Sequence, residues 1–122
     1  DWFKLRDVYY KSEYREDVDG YFQTPYFGEE VEKLDGKRVK ITGYMLTLAP
    51  DEGVFVLSQN PYADCFFCGY GGPESAIELT LNPGHDSFLM DQLVTVVGTL
   101  KLKREDVSSG VYLMYDAIAI RE

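Results

Sequence analysis

The chain has 122 residues, with 12 Lys+Arg against 21 Asp+Glu, for a formal net charge of −9. That length suits one domain with a core of its own, and a 45% hydrophobic share speaks against wholesale disorder. The negative balance argues against nucleic acid, whose phosphates call for clustered Lys and Arg, and no apolar run approaches the roughly 20 residues of a membrane-spanning helix.

Ten Tyr and seven Phe against one Trp lean the composition toward strands, because aromatic side chains suit a pleated, half-buried surface. The chain begins at Asp1 without an initiator Met, which reads as a processed product whose targeting segment has been removed. In residues 1–28, Trp2, Leu5, Val8 and Tyr10 serve a strand or extended arm. Tyr21, Phe22, Tyr26 and Phe27 form a second extended piece, interrupted by Pro25. Asp19-Gly20 is a turn signal between the two. Glu29–Leu34 suits one or two helical turns: Val31 and Leu34 share a face, and Glu29 and Glu30 sit where the helix dipole is positive.

From Lys37 onward the pattern changes to strands. KRVKITGYMLTLA is the first, with Gly43 predicting a bulge or bend. VFVLS follows the Pro50–Gly53 turn, and AIELTL precedes Asn82-Pro83-Gly84. LVTVVGTLKLK carries a second mid-strand glycine, Gly98, and VYLMYDAIAI comes last. Five strands, two of them long with a central glycine, predict a five-stranded barrel of the oligonucleotide/oligosaccharide-binding (OB) type; an open β-sandwich is the alternative. The expected organisation is a single mainly-β domain over 1–122, with residues 1–33 as an extension packed on a barrel formed by 34–122.

The most informative segment is the loop NPYADCFFCGYGGPES, residues 60–75. Loops of this length inside compact domains are uncommon and often functional. Tyr62, Phe66, Phe67 and Tyr70 either fold back to cap the barrel end or form a binding loop. Cys65 and Cys68 admit four readings. A local disulfide adds about 2 kcal/mol across so short a loop. A C-x₂-C half-site for zinc or iron needs two further ligands, for which Glu74, His85, Asp64 and Glu78 are the candidates. A thiol–disulfide redox pair would use Cys65 as nucleophile and Cys68 as resolving thiol. Inert buried thiols are the fourth reading. The redox reading lacks the nearby cation that lowers a thiol pKa, since residues 41–100 contain no Lys or Arg. Glycine follows Cys68, so the c-type haem motif is absent.

LDGKRVKITGYM, LSQNPYADCFFCGYGGPESAIEL and VVGTLKLKREDV together resemble a family of small, uncharacterised bacterial envelope proteins with an OB-like barrel, over roughly residues 34–118. The resemblance implies a periplasmic or secreted setting, with a lipid anchor conceivable before trimming, and supplies no reaction. The functional expectation is a non-enzymatic binding or accessory domain with a protein or small-ligand partner, holding zinc or iron through Cys65 and Cys68 with His85 or Glu74. The alternatives are the thiol–disulfide oxidoreductase and a peptide- or glycan-binding module that uses tyrosines on the barrel face.

Overall fold

A computed structural model describes residues 2–17, 19–64, 72–104 and 110–122. Alternating apolar residues from Lys37 onward build five strands: β3 (Arg38–Ala49), β4 (Val54–Ser58), β5 (Ala76–Leu81), β6 (Gln92–Leu102) and β7 (Tyr112–Arg121). They close into a barrel in the order β3-β4-β5-β7-β6. Four of the pairings are antiparallel, and the β5–β7 pairing is parallel. The sequence expectation of a closed barrel therefore holds, and the open sandwich does not.

Closure depends on β3 serving both halves of the barrel. Its first part pairs with β6, from Arg38↔Thr99 to Met45↔Gln92, and its second part with β4, from Tyr44↔Ser58 onward. Gly43 stands where the two pairings meet, and its role differs from the predicted bulge. The register runs unbroken through it, and the irregularity falls later, between Leu46 and Ala49. What Gly43 provides is room: a Cβ there would lie 2.7 Å from the Ser58 carbonyl oxygen and 3.0 Å from the Trp2 ring. Gly98 does mark a break in register, between Val97 and Thr99 against β7. The extra residue belongs to β7, where Asp116 adopts φ +50°.

Inward-facing residues such as Ile41, Met45, Phe55, Leu57, Ile77, Val96, Leu100 and Met114 fill the barrel. The first part of the chain completes this core. A 3₁₀ turn over Lys4–Arg6 inserts Leu5, and α1 (Glu29–Glu32) inserts the fully buried Val31. Each such aliphatic side chain contributes about 2 kcal/mol by leaving water. Polar bonds fix the attachment: Tyr112 donates its buried hydroxyl to the Leu5 carbonyl at 2.6 Å, and the Trp2 indole N–H donates to the Thr42 carbonyl at 2.7 Å. Arg104 clamps the far side of α1 through Glu32, at 2.5 and 2.8 Å, and Asp35, at 3.1 Å.

Strands β1 (Val8–Arg15) and β2 (Gly20–Phe27) lie outside the barrel as a separate two-stranded antiparallel ribbon. Pairing runs from Val8↔Phe27 at the base to Arg15↔Gly20 at the tip. A lone ribbon is marginal in water, and this one is anchored at its base, where Tyr10 and Phe27 pack on the core. No helix among the described residues is long and apolar enough to cross a membrane.

Candidate functional site

The loop that carries the cysteines leaves the barrel from a closed stem. The Gln59 N–H donates to the Ser75 carbonyl at 2.9 Å, the Asn60 N–H to the Ser58 hydroxyl at 3.1 Å, and the Ser75 hydroxyl to the Gly72 carbonyl at 2.6 Å. Past the stem a 3₁₀ turn at Tyr62–Asp64 is held by Asp91, whose carboxylate accepts the Tyr62 N–H at 2.7 Å. Tyr62 itself is exposed. Cys65, Phe66, Phe67, Cys68 and Tyr70 lie outside the described residues, so the cysteine and aromatic-loop readings are carried by their described neighbours alone.

Glu74 and His85, two of the four further ligand candidates, stand on either side of β5 in the chain. Glu74 precedes the Ala76 end of β5, in the Pro73–Ser75 turn. His85 follows β5 and packs edge-on against Phe55, whose strand partner is Leu79. The six-residue β5, about 20 Å long, lies between them in the chain. Among the described residues, no group of three or more His, Cys, Asp and Glu side chains converges on a common point.

Each of the two has a local role. The Glu74 carboxylate curls back over Gly72 and accepts the Tyr10 hydroxyl at 2.7 Å, tying the ribbon base to the returning loop. Burial first, and this hydrogen bond second, push the Tyr10 hydroxyl well above the usual tyrosine range. Burial likewise raises Tyr112, and the nearby negative charge of Glu74 adds to the effect. His85 is exposed, with its ring against Phe55 and Phe88 and Nδ1 at 2.7 Å from the Asp86 carbonyl oxygen.

The structure assembles a different constellation on the ribbon, where the sequence reading expected only a packing extension. The pairing register sets Tyr9 opposite Tyr26 and Tyr14 opposite Tyr21. On one face the Tyr9 and Tyr26 rings stack at 5.5 Å, with the Lys11 ammonium 5.0 Å from the Tyr26 ring and Arg15 5.5 Å from the Phe22 ring. On the other face, toward the tip, Tyr14 and Tyr21 meet edge-to-face at 5.4 Å. Their exposures are 50% and 74%, which leaves both rings open to a partner. Carboxylates border the aromatics: Glu13 accepts the Tyr26 hydroxyl, and Asp19 accepts the Tyr14 hydroxyl. These bonds hold the Glu13 carboxyl below its usual range and raise both tyrosines. The sequence did contain a signal for this arrangement, since both tyrosine pairs are placed symmetrically about the point between residues 17 and 18.

No protein-family model, curated protein or solved structure matches the chain.

Proposed function

We propose that the chain is a non-enzymatic binding domain whose tyrosine ribbon docks an extended, Lys- or Arg-bearing peptide segment of another protein. The observation that carries this reading is the outward Tyr14–Tyr21 pair beside an acidic tip. Aromatic faces attract cations through their quadrupole, and Glu16, Asp17 and Asp19 add exposed carboxylates next to them. The ribbon also offers a backbone edge. Among the described residues, β1 and β2 have no strand partner but each other, and an open edge is the substrate of strand addition. Pro25 lacks an N–H and interrupts the β2 edge, which favours β1 for that role. An envelope setting belongs to the same proposal, on the strength of the sequence motifs.

The test is fluorescence anisotropy with a labelled extended peptide bearing alternate Lys residues, beside the same peptide with Glu in their place and a neutral oligosaccharide. Only the basic peptide is expected to bind, more weakly as salt rises. The Tyr14→Ala/Tyr21→Ala protein should lose about tenfold or more in affinity, with its circular dichroism unchanged. Equal affinity in that variant, preference for the oligosaccharide, or no binding of the basic peptide would each overturn the reading.

A further inference from the structure

The outer face of the barrel over β3, β6 and β7 combines exposed apolar side chains with unpaired cations. Ile41, Val96 and Ala117 point into the core, so strand alternation turns Lys40, Val97 and Ile118 outward. The register lays these three in one row across the strands. Ile118 and Ile120 are 50% and 56% exposed, and Leu93, two residues before the Thr95 partner of Ile120, is exposed as well. Toward the other end of the face stand Arg38, paired with Thr99, and Lys101, which faces outward between the buried Leu100 and Leu102. Among the described residues, Arg38, Lys40 and Lys101 form no ion pair. Arg38 donates to the Asp116 carbonyl at 2.8 Å, a neutral acceptor that leaves its charge uncompensated. The Asp116 carboxylate is exposed at the β7 bulge and pairs with none of the three. In a chain of net charge −9, this face is a local reversal of sign.

We infer that this face docks the ribbon tip of a second copy of the chain. The tip carries what the face lacks: the Tyr14 and Tyr21 rings, with Glu16, Asp17 and Asp19 exposed beside them. The exposure of both rings shows that the tip is not seated on its own barrel. Opposite charge steers the two surfaces together and fixes their register, and the tyrosine rings cover the exposed isoleucines. A phosphate polyanion would pair with the cations but leave Ile118 and Ile120 in water, whereas the tip answers both. The barrel backbone is already paired around its closed circuit, so the contact is made by side chains. The two surfaces differ, so the contact is heterologous, with the tip of one copy on the face of the next. A two-stranded tip offers a small contact, and contacts below roughly 1,200 Å² are weak and transient. The inference rests on the same tyrosine pair as the peptide reading and names a partner for it, with which a basic peptide would compete.

The experiment is sedimentation velocity of the full chain from about 10 μM to about 1 mM. The average mass should rise with concentration and fall back in about 0.5 M salt. Two variants separate the surfaces: Tyr14→Ala/Tyr21→Ala disables the tip, and Lys40→Glu/Lys101→Glu disables the face. All four positions are exposed, so both variants should keep the parent circular dichroism. Each alone should stay monomeric, while their equimolar mixture should form a one-to-one pair and nothing larger. In that mixture the Ile118 and Ile120 methyl resonances of the tip variant should shift. A parent that stays monomeric at about 1 mM, either variant associating as the parent does, or a mixture that stays monomeric would overturn the inference. So would capture of phosphatidylglycerol vesicles by the tip variant in place of assembly. The face variant keeps its tip, so its binding of the basic peptide separates the two readings. Peptide binding without assembly refutes the second-copy contact alone, and assembly without peptide binding refutes the peptide reading alone.

Discussion

Tyr10 on β1 donates its hydroxyl at 2.7 Å to Oε1 of Glu74, 64 residues away at the point where the chain returns from the cysteine loop. A bond to a carboxylate in a partly buried setting is worth about 1.5 kcal/mol. Tyr10→Phe should therefore lower Tm by about 5 °C and leave the barrel intact, as read by thermal circular dichroism. The pH dependence follows from the same pair. Tyr10 and Tyr112 are both raised above the ordinary value of 10.0. A phenol raised on folding adds stability that is complete below about pH 10 and lost as pH climbs toward the folded value. Tm should thus fall above about pH 10, and Tyr10→Phe should flatten that fall.

Tyr112 tests the attachment of the whole first segment. Its buried hydroxyl donates to the Leu5 carbonyl, 107 residues away in the chain. Tyr112→Phe leaves that carbonyl without its donor, at a cost of about 1–3 kcal/mol. Limited proteolysis should cut the first 28 residues faster in the variant, while the barrel fragment resists as in the parent.

Gly43 carries a steric prediction. A Cβ at this position would meet backbone, the Ser58 carbonyl at 2.7 Å, which a rotamer change cannot relieve. Gly43→Ala should cost about 1–3 kcal/mol in a denaturant melt. Gly72→Ala is the contrast, because its Cβ would meet the free end of the Glu74 side chain, which can swing aside. It should cost less than Gly43→Ala and weaken the Tyr10 bond in particular.

Were Cys65 and Cys68 to hold a metal, as the sequence expectation has it, the contributions of Glu74 and His85 would be separable. Glu74 follows Cys68 by six residues and His85 by seventeen, which favours Glu74. Elemental analysis of protein purified without chelator should give the same metal-to-protein ratio for His85→Ala as for the parent. A lower ratio in that variant would show His85 to be a ligand.

The barrel strands were legible because each is a run of five or more residues that are either mostly apolar, as in β4, or alternate apolar with polar, as in β5, and the turns between them are marked by Pro, Gly and Asn. Residues 76–81 and 93–102 show this best: Ile77, Leu79, Val94, Val96 and Leu100 all face the core. The role of Gly43 was not legible, since a bulge and a close backbone approach leave the same mark in a sequence. The ribbon was read as two extended pieces, but its pairing register, which places tyrosine against tyrosine, depends on the turn. The exposed Tyr14–Tyr21 pair stands on the ribbon, whereas the tyrosine alternative read from the sequence looked to the barrel face.

The parallel β5–β7 pairing bears on how the molecule is made. β7 is hydrogen-bonded to β5 on one side and β6 on the other, and it is the last barrel strand to be synthesised. Until Tyr112–Arg121 has emerged, β5 and β6 each keep a bare edge rich in Ile, Leu and Val. A nascent chain therefore passes through an interval in which most of its core residues exist but cannot be enclosed, and such intervals favour association between chains. Pairings between strands distant in sequence also form slowly. Expression yield should consequently be more sensitive to substitutions in β7 than their effect on the finished fold would imply.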